Sequence, residues 1–430
     1  MTFQDTPAAT IAAAEAAAQA SAVPASPARA ARFTGNTMAF WRIQLRGAML
    51  LAVTLGIYRF WLATDVRRFL WANTEIAGES LEYNGTATEI LIGFLIAIAL
   101  LIPVNLGFFL LALTMGPVGE FASMLAFPLL FVLGQYAIYR ARRYRLTRTV
   151  LRGIRCQQTG SAVRYACYGT LWWILIVLTL GLAYPFAQAS LERYKMRNTL
   201  YGDLPGRFEG SGLRLFVRGL PMWLLVVVPL VFGLIAAIGV VDWDALDLVT
   251  SDPASGDLTQ VAGLMPAVFI ASTGLAAAVG FAVLLLPAFQ AMTLRWWLAG
   301  LRFGELTVDS RLSTRKIYGA YLRFLWYALL YSLAAAIVVI VGLLAFGLAA
   351  ESLGGFAELA GVGAWVILYV VMMLGYSAIY QTTVRLTMWR HGVDSAELHG
   401  VAELDKVKAT GGPGSPLGEG LADALNVGGI

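Results

Sequence analysis

The sequence predicts an all-α polytopic membrane protein: six full spans in three hairpins, two re-entrant or broken segments, and short extended elements at the cytoplasmic face. Three observations predict it. The 430 residues are 59% hydrophobic and only 13% charged, about half the charged share of an ordinary soluble domain. Apolar runs recur at or near the ~20 residues a helix needs to cross the hydrocarbon. The loops between runs alternate between rich in arginine and devoid of it, the asymmetry that orients membrane proteins.

The chain opens on an Ala-, Ser- and Pro-rich stretch over residues 1–32. It lacks the basic start and Leu-rich centre of a cleaved signal and reads as a disordered cytoplasmic tail. The membrane domain then covers 33–401. Residues 402–430 read as a second, mostly disordered cytoplasmic tail, Gly- and Pro-rich near Ala409–Gly420, with a short amphipathic turn over Leu417–Val427.

Six apolar runs, Ile90–Leu113, Phe121–Ile138, Gly219–Val241, Ala262–Phe289, Phe324–Ala349 and Val362–Thr382, pair into the three hairpins. The loops inside the hairpins, Thr114–Glu120, Asp242–Val261 and Ala350–Gly361, contain no Lys or Arg. The loops between hairpins are the opposite. Tyr139–Arg164 carries eight arginines and no acid, and Gln188–Arg218 and Gln290–Arg323 are also basic. Short basic loops stay in the cytoplasm, so these three face in, and both termini with them.

Two further apolar segments, Gly47–Tyr58 and Ala166–Ala187, have positive charge on both sides. Two full crossings would carry the eight-arginine loop outside. Entry from the cytoplasm and return avoids that, with breaks at Gly56, and at Gly181 with Pro185. Glycine permits the reversal and proline cannot continue the helical ladder. An ordinary kinked span is the alternative, stronger for the second segment, which is long enough to cross.

These segments open an internal repeat. The stretch from Val53, VTLGIYRFWLATDVRRFLWANTEIAGESLEYNGT, lies over LTLGLAYPFAQASLERYKMRNTLYGDLPGRFEGSG from Leu178 without gaps. Thr54-Leu55-Gly56 meets Thr179-Leu180-Gly181, Arg68 meets Arg193, Asn73-Thr74 meets Asn198-Thr199, and Tyr83-x-Gly85 meets Phe208-x-Gly210. Signature copies thus lie near 53–86 and 178–212, with weaker ones near 144–161, 294–310 and 384–398. Each weaker copy passes from an Arg-bearing helix end through Gly into alternating apolar residues, the pattern of short strands. These strands are expected to pair into a small sheet beneath the membrane.

With VTLGIYRFW before RRFLWANT, and LTLGLAYPF before ERYKMRNT, the chain resembles the YjgN-like family of bacterial inner-membrane proteins, a domain-of-unknown-function family. The resemblance covers about Phe33 to Val401. It implies a multi-pass protein of the bacterial inner membrane, of undetermined activity, and offers no catalytic or ligand residues. Leu294–Gly304 lacks the Asn-Thr pair.

The six span interiors contain no Asp, Glu, Lys, Arg or His, so a titratable couple of the kind ion-driven transporters bury is not expected. Asn105 and Gln135 in the spans, with Thr179 in the second broken segment, are the polar groups of note, each suited to an interhelical hydrogen bond. His391 and His399 lack a third ligand nearby in sequence, and no phosphate-loop, HExxH or GxSxG pattern stands in a supporting context. Neither an enzyme nor a cofactor or metal is expected. The net charge of +5 is read as retention on the inner face and attraction to anionic lipid, not nucleic-acid binding. Cys156 and Cys167 are ordinary residues of a reducing compartment.

The most distinctive polar cluster is Arg67, Arg68, Trp71 and Asn73 with Arg193, Tyr194, Lys195, Arg197 and Asn198. Paired cations near broken backbone suit an anion or lipid headgroup; the same residues also suit interfacial anchoring. Asn73 and Asn198 are expected to stop helices in a left-handed conformation. Two functions follow: movement or organisation of a small solute or lipid without a titratable couple, or a non-catalytic scaffold whose basic face binds headgroups or a partner protein.

Overall fold

The computed structural model describes residues 31–251, 258–353 and 357–410, together with 421, 424 and 425. Within them the chain makes five excursions, each a strand, a helical hairpin and a strand. The first is β1 (Ala31–Phe33), α1 (Thr37–Val53), α2 (Arg59–Ala72) and β2 (Thr74–Ile76). The second is β3 (Glu79–Ser80) with β4 (Glu82–Tyr83), α3 (Ala87–Thr114), α4 (Gly116–Met124), α5 (Ala126–Thr147) and β5 (Thr149–Leu151). The third is β6 (Ile154–Gln158), α6 (Ala162–Leu178), α7 (Tyr184–Arg197) and β7 (Thr199–Tyr201). The fourth is β8 (Leu204–Phe208), α8 (Gly212–Gly239), α9 (Trp243–Ser251), α10 (Leu258–Gly300) and β9 (Leu301–Phe303). The fifth is β10 (Leu306–Ser310), α11 (Thr314–Leu353), α12 (Ala357–Tyr380), the π-helical turn Gln381–Arg385, α13 (Leu386–Asp394) and β11 (Ala396–His399).

Helices leave the strands on polar caps. Asn36, Thr86, Ser161 and Ser211 have extended backbone, and each side chain accepts from an N–H in the first turn of its helix. One donor that every helix start leaves open is thereby satisfied. The aromatic-x-Gly pattern sits just before these caps. A Cβ on Gly85 would lie 2.5 Å from the Tyr83 hydroxyl, and one on Gly210 would lie 2.5 Å from the Phe208 ring. The strand-end ring folds over the backbone where only glycine leaves room.

All neighbouring strands are antiparallel. β4 to β11 form one ladder in sequence order and β1–β2–β3 another, with Leu81 alone between β3 and β4. β1 lies beside β11, Ala31 packs with Val308 and Ala396, and Phe33 N donates to Asp394 Oδ1 at 2.9 Å. The strands therefore run round a ring with a seam between β1 and β11. The expected small sheet is thus a near-closed ring.

Five helices, Ala87–Thr114, Gly212–Gly239, Ala262–Gly300, Thr314–Gly347 and Gly361–Asp394, are long and apolar enough to cross a membrane. Their side chains face outward: Leu100 is 62% exposed, Phe232 72% and Ile337 62%. Water would not tolerate apolar surface on this scale, and lipid does. The chain is a multi-pass helical membrane protein.

The sixth expected span, Phe121–Ile138, differs. Gly116 has φ 54, so α4 starts at once after α3 and packs back along it. The break at Leu125 then separates the nine residues of α4 from α5, and α5 carries Arg140, Arg142, Arg143 and Arg145. No single apolar helix results.

Both TLG segments turn back, and their hydrogen bonds recur 125 residues apart. Gly56 N donates to Leu51 O at 2.8 Å and Gly181 N to Ile176 O at 2.7 Å. Thr54 Oγ1 donates to Leu50 O at 2.6 Å and accepts from Tyr58 N at 3.0 Å. Thr179 Oγ1 donates to Leu175 O at 2.7 Å and accepts from Ala183 N at 3.1 Å. One hydroxyl thus closes the outgoing helix and starts the returning one. Leu55 and Leu180 take the left-handed position with φ 50 and 51, followed by Gly56 and Gly181 at φ 90 and 92, which glycine adopts at no steric cost. Pro185 lies in the first turn of α7, where its missing N–H costs nothing. The leucines project, Leu55 93% and Leu180 62% exposed.

Asn73 and Asn198 end α2 and α7 with φ −101 and −100, not in the left-handed conformation expected. Their amides donate to Phe69 O and Tyr194 O, both at 2.7 Å. A side chain thus replaces the backbone donor that a left-handed cap would bring to these carbonyls.

The expected 1–32 tail lies outside the described residues apart from Ala31 and Arg32, which belong to β1. Beyond β11, a 3₁₀ turn, Val401–Lys406, crosses the rim of the ring. Arg152 Nη1 meets Asp405 Oδ1 at 2.5 Å, and Lys408 N donates to Asp203 Oδ1 at 2.9 Å. Residues 411–420 of the second tail are outside the described residues; Leu421 packs against Ala97, Leu101, Ala137 and Ala141 of α3 and α5.

Candidate functional site

Strand alternation gives the ring an apolar inside and a charged outside. On β10 and β11, Leu306, Val308, Ala396 and Leu398 border an internal cavity. The residues between them pair outside, with Asp309 3.6 Å from His399 and Arg311 3.2 Å from Glu397. Ile76, Leu151, Tyr201 and Phe303 continue the inner wall round the ring. The membrane-side wall is built from helix feet: Val66 and Leu70 of α2, Leu294 and Trp297 of α10, and Trp389 of α13. Leu404, from the rim-crossing turn, packs with Leu151, Tyr201 and Leu306. Together they line an open-sided chamber of about 740 Å³, within the ~300–1,000 Å³ range of small-molecule sites.

The chamber wall has few polar groups: Thr74, Thr149, Cys156, Tyr201, Gln290, Tyr380, Gln381 and Arg385. Trp389 Nε1 donates to Thr74 Oγ1 at 3.0 Å and Trp71 Nε1 to Thr149 Oγ1 at 2.9 Å, so the threonines are occupied. Burial pushes the Cys156 thiol up to about 12, against a smaller opposing pull from Arg142. It is a neutral, weakly nucleophilic thiol at ordinary pH.

The cluster singled out in the sequence takes equivalent places at the feet of α2 and α7. Arg68 Nη2 donates to Gly85 O at 3.0 Å, and Arg193 Nη2 to Gly210 O at 3.3 Å. Arg67, only 5% exposed, donates to the Tyr83 hydroxyl at 3.2 Å. Tyr194 Oη donates to Ser161 O at 2.8 Å. Lys195 pairs with Glu192; burial lowers its pKa and the Glu192 carboxylate opposes that. Arg197 is exposed. The arginines Arg67, Arg68 and Arg193 therefore tie each returning helix to the strand end that opens the next excursion, and the two halves stand at separate points of the ring. Of the other polar groups noted, Asn105 donates to Leu101 O of its own helix at 2.9 Å. Gln135 is buried, with Oε1 2.7 Å from where a Gly169 Cβ would stand.

A second concavity, of about 730 Å³, lies outside the ring between the start of α8 and β8 to β11. Arg214, Arg218 and Arg295 line it, with Arg302 paired to Glu209 at 3.3 Å. Among the described residues, no group of three His, Cys, Asp or Glu comes together as a metal site would need.

Sequence reasoning missed the chamber and, with it, Gln381 and Arg385. Their one signal was the stretch QTTVR, where two adjacent threonines end an apolar run. No curated protein and no solved structure matches the chain. A family model described as a bacterial protein of unknown function, DUF898, matches residues 28–423, and the chain belongs to that family, the one its TLG and Asn-Thr signatures resemble.

Proposed function

We propose that this integral membrane protein holds an apolar, lipid-like molecule in the chamber, and so organises or moves lipid at the inner face of the bacterial plasma membrane without catalysis. The observation that carries this reading is the chamber itself: a largely apolar, open-sided space bounded by the ring and by the feet of membrane helices. Filling such a space with hydrocarbon is favourable by roughly 0.8 kcal/mol per buried CH₂. The absence of charge from the six apolar runs fits a lipid path better than an ion-coupled one.

In this reading the three long hairpins cross the membrane, six passes in all, and the two TLG hairpins dip in from the ring side. All five excursions begin and end at the ring, and the basic loops lie there, so the ring and both termini are cytoplasmic. A single cysteine at exposed Arg207 of β8, in a Cys156→Ala, Cys167→Ser background, tests the orientation. An impermeant maleimide should label it only after permeabilisation; labelling of intact cells sinks the assignment.

The chamber is tested by solvent extraction and mass spectrometry of purified protein. The wild type should retain an apolar molecule near one per chain, and Val308→Trp and Leu398→Trp, which fill the space, should lose it. Equal recovery from all three proteins would overturn the reading. The outer cleft favours a second reading, a scaffold on anionic lipid, because Arg214 and Arg218 stand there without an ion-pair partner among the described residues. A protein partner recovered in stoichiometric amount, with an empty chamber, would favour that reading.

A further inference from the structure

The chamber wall is mostly apolar, and its one Lys or Arg among the described residues is Arg385, which the π-helical turn Gln381–Arg385 between α12 and α13 brings to the cavity together with Gln381. The turn has a local cause. Thr382 and Thr383 are buried, and their hydroxyls donate to Ala378 O at 2.9 Å and Ile379 O at 2.6 Å. They compete with backbone N–H groups for these carbonyls, which loosens a helix. Leu386 N then reaches Gln381 O, the i→i+5 bond that defines a π turn, and such turns are frequent at functional sites.

Two groups on this turn lack partners. Gln381 Oε1 is buried without a hydrogen bond. Arg385 makes no hydrogen bond or ion pair among the described residues, and no Asp or Glu borders the cavity. A guanidinium against an apolar wall is unfavourable unless an anion meets it. The space beside it is apolar and large enough for a ligand.

We propose that Arg385, with Gln381, binds the anionic head of an acyl-chain amphiphile whose hydrocarbon fills the chamber. The head is a carboxylate or a phosphate, either of which the planar guanidinium fork can take through two parallel hydrogen bonds. Beside it the Gln381 side chain can donate only through Nε2, since its unpartnered Oε1 is an acceptor. The inference rests on the lipid-binding reading above and specifies its ligand class.

The test titrates full-length protein in nanodiscs with fluorescent cis-parinaric acid and with its neutral methyl ester, subtracting protein-free nanodiscs. The acid should bind the wild type more tightly than the ester. Arg385→Gln should weaken the acid about ten- to a hundredfold and leave the ester unchanged. Arg385→Lys should recover part of the difference and Gln381→Leu lose a smaller part. Dodecyl phosphate should displace the acid and inorganic phosphate should not. Equal affinity of acid and ester for the wild type overturns the head assignment even if Arg385→Gln fails to fold. So does equal weakening of both by that variant, while loss of both probes in Leu398→Trp keeps the chamber reading intact. Displacement by inorganic phosphate overturns the acyl-chain half. If neither probe saturates the wild type, the chamber reading falls and the head assignment with it.

Discussion

Trp71 and Trp389 stack with ring centroids 5.2 Å apart, joining the first excursion to the last across the ring. Trp389 also donates to Thr74 and borders the chamber, so it is both a closure and part of the wall. Trp389→Ala removes the stack and opens the wall, and should cost about 2–4 kcal/mol. A lowered midpoint in thermal unfolding of the purified protein checks this, and Trp389→Phe should recover much of the loss. An unchanged midpoint for the alanine variant would mean that the ring does not depend on this contact.

The TLG turns predict two separable effects. Thr179→Val removes a hydroxyl that both donates and accepts, and should destabilise by about 1–2 kcal/mol. Gly181→Ala forces a Cβ onto φ 92 and should cost a comparable ~1–2 kcal/mol. The projecting leucines predict depth. Spin labels at Leu55 and Leu180 should be more accessible to oxygen than to a water-soluble nickel complex. The reverse order would place both tips in water.

The sequence made the long helices legible because lipid demands apolar side chains on every face. It made the TLG breaks legible because Thr54 and Thr179 stand in the same context twice. Tyr83-x-Gly85 and Phe208-x-Gly210 were visible as pattern, while their cause, a ring lying over the glycine, needed coordinates. The ring was only half legible: strands of three to five residues could be seen singly, but the meeting of β1 with β11 joins residues some 365 positions apart. The chamber was invisible for the same reason, since Val66, Phe303 and Leu398 look like ordinary core until three separate excursions place them round one space. Arg385 looked like one more basic helix end. Only its position at the cavity wall distinguishes it from Arg68 or Arg193, which are spent on backbone carbonyls.

The fourth hairpin crosses itself at glycine. A Cβ on Gly233 would lie 2.7 Å from Gly274 Cα, and one on Gly274 would lie 2.8 Å from Pro229 O. Helix association in lipid depends on such close backbone approach. Gly233→Leu should push α8 from α10 and cost about 1–3 kcal/mol by overpacking, whereas Gly280→Leu, where a Cβ meets nothing within 4 Å, should be nearly neutral. The two variants are compared by thermal unfolding in the same detergent. Similar loss in both would deny the crossing a special role.

Cys156 predicts a pH dependence with a definite sign. Burial holds its folded pKa at about 12 against an ordinary value of 9.0, so the native state keeps the thiol proton where the unfolded state gives it up. The unfolded chain binds fewer protons in that window, and stability contributed by the neutral thiol is lost as pH rises from about 9 through about 12. Cys156→Ala should therefore flatten the alkaline limb of the stability–pH profile, and Cys167→Ser, at an exposed position of α6, should not. Alkylation gives a second readout. Below pH 9 a polar iodoacetamide should modify Cys156 only after unfolding, because the thiolate is the nucleophile and is scarce in the native protein. Rapid modification of native Cys156 at neutral pH would mean that the thiol is not held in its neutral form and would deny the pH dependence.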